Sequence, residues 1–326
     1  MGRAPLFADL DDADRRALLG VFRPATFPRG ALIYRQNAVA NALYLIAEGR
    51  VSMSRRLPGD DEIELDARGP DETFGELALI EGEVHATSAR ALDETRAWML
   101  DGSWFKAQLS QLTPWTFKVL WRLARLICEH LRRTNRRMAE ALPSELLEAS
   151  RHRPRRASRP GLDEVRSVVT GDTPMLRILP IFNELDDAEL SALTTRMRRH
   201  ELPRGEIVFT EGEPGASCFI TVWGAVEVSV TRREKHQLAI LGPGKMFGQV
   251  ALIDGGLRSA TCKVRETAVL LELDIATMAQ IFEEGGPIAF KLLIAMLRML
   301  CGTVRGASAE VSRLAALRRA QGDEAS

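Results

Sequence analysis

Hydrophobic positions along the 326-residue chain follow two periods in turn, and the same succession runs twice. Each half opens on a predicted short helix, because Asp11 and Asp186 are good N-caps with Asp14 and Glu189 three residues later, in capping-box position. Short alternating or apolar runs follow: ALIYRQ and ALYLIAEGRVSMS in the first half, and EIVFTE, CFITVWGAVEVSV and HQLAIL in the second. Gly, Pro and Asn punctuate them at the roughly 8–12-residue spacing of all-β barrels and rolls. The period then changes to three and four. Leu120, Ala124, Ile127, Leu131, Met138 and Leu142 fall on one helical stripe, and Phe290, Leu293, Leu297, Leu300, Val304, Val311 and Leu314 on another. The pattern predicts an α+β class, mainly β: two tandem β-rolls of jelly-roll type, each flanked by helices.

The two halves are copies of each other. LDDAD at 10–14 returns as LDDAE at 185–189, PRG at 28–30 as PRG at 203–205 and Gly49 as Gly224, all at an offset of 175. A two-residue indel in one loop resets the offset to 173, which holds through Gly69/Gly242, Pro114/Pro287, Phe117/Phe290 and Cys128/Cys301. A repeat of this length, interrupted once, is a duplicated domain rather than a solenoid of short units. The organisation expected is a first domain at 1–142 ending in a long helix, a basic Pro/Arg linker at 143–172, and a second domain at 173–320.

Composition narrows the function. The 44 basic and 44 acidic residues cancel, so no overall field draws the molecule to nucleic acid or membrane. Cys128, Cys218, Cys262 and Cys301 lack a CxxC pair or metal-ligand spacing and read as reduced core thiols, with no metal site. No apolar h-region opens the chain and no stretch approaches the roughly 20 apolar residues of a membrane span, so no membrane span and a cytoplasmic location are expected. No nucleophile elbow, P-loop, metal motif or placed acid pair is present, so an enzyme is not expected.

The densest repeated signal is FGELALIEGEVHATSAR at 74–90 against FGQVALIDGGLRSATCK at 247–263. A cassette of the form FGE-x-AL followed by R-[ST or A]-A, behind a β-rich segment and ahead of a helix, closely resembles the phosphate-binding cassette of the cyclic-nucleotide-binding domain, as in the catabolite activator protein and the regulatory subunit of protein kinase A. The resemblance covers nearly the whole of both repeats. It implies a ligand, cAMP or cGMP, and no cofactor beyond it. In the second domain the residues it assigns are Phe247, Gly248, Gln249, Val250, Ala251, Leu252, Arg258, Ser259 and Ala260, with Thr303 on the following helix about where the base is capped and Arg298 and Arg305 nearby. In the first they are Gly75, Glu76, Leu77, Ala78, His85, Ala86 and Thr87.

The chemistry accounts for the spacing. Glycine lets the backbone approach the ligand and opens a helix whose free N–H groups suit an anion. An arginine supplies a fork of donors to the exocyclic phosphate oxygens, and the acidic residue accepts the ribose 2′-hydroxyl. Neither copy is complete. His85 stands where the first arginine should be, and Gln249 replaces the second glutamate. Losing the phosphate partner costs roughly 2–4 kcal/mol, whereas glutamine still accepts a hydroxyl. The second domain is therefore expected to hold the ligand, and the first to be a structural copy with His85 at the surface or capping a helix.

The C-terminal stripe over about 297–317 is heptad-like, which implies a homodimer through that helix; packing inside one chain is the alternative. After Ala320 the sequence leaves no room for the helix-turn-helix of the family's transcription factors, so no DNA-binding domain is expected. Arg155-Arg156-Ala157-Ser158 reads as exposed linker and also resembles a basophilic kinase site with Ser158 as acceptor. The function expected is a cytoplasmic cyclic-mononucleotide receptor signalling through an unidentified protein effector. The alternative is a scaffold that keeps the fold and binds no nucleotide.

Overall fold

The computed structural model describes residues 4–8, 10–57, 62–111, 113–141, 176–231 and 235–323. The basic linker and Ser158 lie outside the described residues, as do the side chains of Met138 and Leu142 on the first helical stripe. Two compact units divide the chain: Met1–Thr134 with Leu300–Ser326, and Asn135–Met299. The last helix thus departs from the expected division, since its residues from Leu300 onward belong to the first unit.

In the first unit a 3-10 turn, Pro5–Phe7, precedes helix α1, Asp12–Leu19. Asp11 caps α1 by accepting from the Ala13 and Asp14 amides at 3.0 and 2.8 Å. The reciprocal half of the expected capping box is missing, because the Asp14 carboxylate pairs with Lys118 at 3.0 Å. Eight strands follow: β1 Arg23–Phe27, β2 Leu32–Tyr34, β3 Ala42–Glu48, β4 Val51–Arg56, β5 Glu62–Arg68, β6 Thr73–Phe74, β7 Ser88–Ala91 and β8 Thr95–Asp101. They form two antiparallel sheets, ordered β1-β8-β3-β6 and β2-β7-β4-β5. Strands of both sheets feed one core, with Ala42, Tyr44, Ile46 and Phe74 from the first and Val51 and Ala89 from the second. Three helices complete the unit's N-terminal part: α2 Glu76–Glu81, α3 Gly102–Gln111 and α4 Pro114–Ala141. The stripe predicted on α4 is its buried face, for Leu120, Ala124, Ile127 and Leu131 are all at most 3% exposed.

The second unit repeats the plan with longer strands. Helix α5, Asp187–Thr194, carries the full capping box, Asp186 accepting from the Glu189 amide and the Glu189 carboxylate accepting from that of Asp186. Strands β9 Arg198–Leu202, β10 Ile207–Phe209, β11 Ser217–Thr231, β12 Lys235–Leu241, β13 Met246–Phe247 and β14 Thr261–Asp274 form one antiparallel sheet. Its centre is the β11–β14 pair, whose register shifts at Thr221/Trp223, Trp223/Ala225 and Ala225/Val226. These irregularities bend the pair where the first unit instead breaks β3 from β4, at the repeated turn glycine. Phe209, Phe219, Val226, Phe247, Val264 and Leu270 pack inside the bend. Helices α6 Gln249–Asp254, α7 Ile275–Glu284 and α8 Gly286–Asp323 follow.

Helix α8 corrects the expectation about membrane-length segments. By length and composition, Gly286–Arg313 is long and apolar enough to cross a bilayer, and half of its most apolar window is buried inside the protein. Leu293, Met296, Leu297, Leu300 and Val304 have no exposure at all, which is the behaviour of a core helix. The stripe expected as a dimer seam is to this extent consumed within the chain. All four cysteines are free and buried, and burial pushes the Cys218 and Cys262 thiols up to about 12.

Candidate functional site

Both cassettes are built alike. A two-residue strand, β6 or β13, ends in Gly75 or Gly248, whose φ of 86° or 81° turns the chain directly into α2 or α6. A side chain is excluded there on two counts. The left-handed conformation penalises Cβ, and a Cβ would stand 2.9 Å from the Ala42 carbonyl oxygen in the first roll and 2.7 Å from Arg258 Nη1 in the second. Beyond the helix, the variable position is fixed by backbone bonds that match between the repeats. His85 N–H donates to Ala38 O at 2.9 Å and Arg258 N–H to Glu213 O at 2.8 Å. In return Asn37 N–H donates to His85 O at 2.8 Å and Gly212 N–H to Arg258 O at 2.9 Å.

Each roll also has an aromatic side chain under this position, at the offset of 175. The Arg258 guanidinium carbon lies 4.0 Å from the centroid of Phe209, and the His85 ring stacks on Tyr34 at 3.7 Å with 8° between planes. A cation over a ring in one roll is a ring over a ring in the other.

In the second roll Arg258 is only 6% exposed. Its Nη1 donates to Ser217 O at 2.6 Å and Gly248 O at 3.0 Å, and its Nη2 to Ser217 Oγ at 3.4 Å. Nε has no partner, and among the described residues no carboxylate is within ion-pair distance. Burial pushes the guanidinium's pKa down. Room for the side chain comes from Gly215, where a Cβ would sit 3.3 Å from Arg258 Cδ and Cζ. Phe247, Gln249, Val250, Ala251, Leu252 and Ala260 are buried around it, and Ser259 is half-buried.

The first roll holds a cleft of about 610 Å³, part of it open to solvent, and all seven residues expected there, from Gly75 to Thr87, line it. His85 is a correction: it is 3% exposed, neither at the surface nor capping a helix. Burial, with Arg305 nearby, lowers its pKa to about 4, so the ring is neutral at neutral pH and supplies no charge to a phosphate. Glu76, first residue of α2, is 6% exposed, its Oε2 has no partner, and burial raises its pKa. The cations on the lining already face carboxylates. Arg68 pairs with Asp66 at 3.3 Å and Glu72 at 3.5 Å, and Arg305 pairs with Glu81 while donating to Val84 O at 3.1 Å.

Thr303 and Arg305, expected beside the second cassette, both belong to the first unit, and Arg298 pairs with Glu184. Sequence reasoning also missed Tyr34, Phe209, Gly215, Asp66 and Arg68. The first two were readable, because position 34 and position 209 are aromatic in register.

The family model for the cyclic nucleotide-binding domain matches residues 24–111 and again 199–284. The chain belongs to this family. It comprises two cyclic nucleotide-binding domains, each mostly β-sheet with flanking helices. Among curated proteins, a CRP-like cAMP-activated global transcriptional regulator of Mycobacterium tuberculosis is 28% identical over 142 residues, 44% of this chain and 62% of the relative. A cAMP-dependent protein kinase regulatory subunit of Mycosarcoma maydis is 22% identical over 295 residues, 86% of this chain and 46% of the relative. The chain therefore spans only about half to two thirds of the length of these relatives. Among solved structures, the regulatory domain of Toxoplasma gondii PKA with cAMP is 16% identical, with a TM-score of 0.33, covering 86% of this chain and 89% of that one.

Proposed function

We propose that this protein is a cytoplasmic receptor for a cyclic mononucleotide, cAMP or cGMP, that binds the ligand in its second roll and signals through a protein effector rather than by catalysis. One observation carries the reading: Arg258 is a buried cation whose hydrogen bonds all end on neutral oxygens. A buried guanidinium without a counter-charge has lost hydration that neutral acceptors repay only in part, so an anion entering the cassette gains an unshared partner. A cyclic phosphate brings one charge on two exocyclic oxygens, which suits the two Nη groups. Gln249, buried one residue past Gly248, accepts the ribose hydroxyl through its amide oxygen, and Val250 and Ala251 present backbone N–H groups in the first turn of α6.

Ligand entry draws Arg258 away from Ser217 O and Gly248 O, releasing the tie between the start of β11 and the cassette. That local change is what an effector reads. The M. tuberculosis relative is described as cAMP-activated and that of M. maydis as the regulatory subunit of a kinase, which supports both the ligand class and a regulatory output. Four free, buried cysteines support a reducing compartment. Calorimetric titration of the full chain with cAMP and with cGMP tests the proposal. Saturable heat with either is expected, and silence with both would leave the scaffold alternative.

A further inference from the structure

A triad of aromatic rings underlies each cassette, and the two triads carry different loads. Phe209 packs against Phe219 and Phe247 with centroids 6.0 and 5.9 Å apart, and Phe219 stacks on Phe247 at 5.4 Å. In the first roll Tyr34 meets Tyr44 at 6.4 Å and Phe74 at 6.1 Å, and Tyr44 stacks on Phe74 at 4.8 Å. Tyr34 carries the neutral imidazole of His85, and Phe209 carries the guanidinium of Arg258.

The hydrogen bonds of Arg258 do not account for how its charge is held. Guanidinium N–H groups lie in the plane of the group, so the bonds to Ser217 O, Gly248 O and Ser217 Oγ engage its edge. Its face is the poorly hydrated part of the cation, and the guanidinium carbon lies 4.0 Å from the Phe209 centroid. Both residues are buried, at 6% and 8% exposure, so the negative face of the ring acts on the charge with little screening by water. The ring is also the fixed member of the pair. Phe209 ends β10, Phe219 lies in β11 and Phe247 ends β13, so three strands hold the triad in the core while Arg258 is tied only by its hydrogen bonds. Gly248 leaves both partners their place, since a Cβ there would stand 3.2 Å from Phe209 Cε1 and 2.7 Å from Arg258 Nη1.

We infer that Phe209 is a positioning residue for the phosphate arginine: in the empty cassette the face of its ring serves as the counter-charge that keeps Arg258 in place, and an entering anion takes over that role. The first half concerns the ligand-free protein and stands on the contact itself. The second half rests on the reading of Arg258 under Proposed function. Because a cation shared with a phosphate draws less on the ring, the contact favours the empty state over the filled one and moderates affinity.

Fluorination of the ring tests this, because each fluorine withdraws electron density from the face and changes the shape little. Mono-, di- and trifluorinated phenylalanine at position 209 of the full chain, in wild type and in Arg258→Gln, form the series. The ligand-free thermal midpoint of wild type should fall with each fluorine, by a few degrees in all, while that of Arg258→Gln stays level. Calorimetry with cAMP and cGMP should show affinity rising along the series in the chain with Arg258, by up to about tenfold. A level midpoint in wild type, or equal declines in the two backgrounds, would overturn the role of the ring, and affinity falling along the series would overturn the handover. A decline confined to the chain with Arg258, in a protein that binds neither nucleotide, would uphold the ring as counter-charge and refute the reading of the second roll; nucleotide binding with a level midpoint would do the reverse.

Discussion

Replacing Arg258 by Gln separates the binding role of this residue from its structural one. The side chain donates to Ser217 O, Gly248 O and Ser217 Oγ and rests on Phe209, and every one of these partners is neutral. A fork of two charge-assisted bonds to a phosphate contributes about 1.5–3 kcal/mol per bond, while leaving the two carbonyls gives back about 1 kcal/mol each. The difference is centred on about 2.5 kcal/mol, or about 70-fold in affinity. Arg258→Lys keeps a charge but not the fork, so it should fall between the two. Ligand-free stability should move much less. Glutamine relieves a buried, uncompensated charge, and this offsets the lost hydrogen bonds. Calorimetry with cAMP and cGMP gives the affinity. Thermal unfolding gives the second readout: saturating ligand should raise the midpoint of wild type and leave that of Arg258→Gln almost unmoved. A folded Arg258→Gln that binds either nucleotide within about threefold of wild type would refute the assignment of Arg258 to the phosphate.

Three further outcomes follow from the same contacts. His85→Arg alone should add little cyclic-nucleotide affinity to the first roll, because Ala40 stands where Gly215 leaves room for Arg258; Ala40→Gly with His85→Arg should add a second equivalent, seen in calorimetric stoichiometry. His85 has a folded-state pKa near 4, below its ordinary value of 6.5, so protonation favours the unfolded chain: stability is complete above about pH 6.5 and falls as pH drops from there toward 4. The urea midpoint should consequently decline more between pH 7 and 5 in wild type than in His85→Phe, and equal declines would remove His85 as the cause. Leu300→Glu places a charge at a fully buried position and should lower the thermal midpoint through a loss of several kcal/mol, whereas an unchanged midpoint with a smaller sedimenting species would restore the dimer seam.

Local patterns carried the fold, and distant partners decided the site. The caps at Asp11 and Asp186, the stripe on α4 and the doubled cassette are all short-range or in-register signals, and each has its expected place. His85 shows where such reasoning ends. Its neighbours Glu83, Val84, Ala86 and Thr87 read as a polar connection, and only Tyr34, some fifty residues earlier, makes it an interior ring. The place of Thr303 shows a related limit. Helical periodicity says which face of α8 is apolar but not which core receives it, and from Leu300 onward the receiving unit is the first. Arg68 and Asp66 gave no signal, because an alternating strand with charges at every second position is also what a solvated sheet face looks like.

Pairs of positions, not single losses, separate the two cassettes. Arg258 comes with Gly215, which makes room for its stem, and with Phe209, whose ring accepts a cation. His85 comes with Ala40 at the register of Gly215, and with Tyr34, whose ring stacks on an imidazole. At the helix start the exchange runs in the opposite sense. Where the arginine is present, the helix starts on the neutral Gln249, so the residue after the glycine brings no negative charge to the cassette. Where the arginine is absent, Glu76 starts the helix, buried and with its carboxyl pKa pushed up by that burial. The two rolls therefore bury different groups beside the cassette, a guanidinium at Arg258 and a carboxyl group at Glu76, and present different chemistry to whatever enters them.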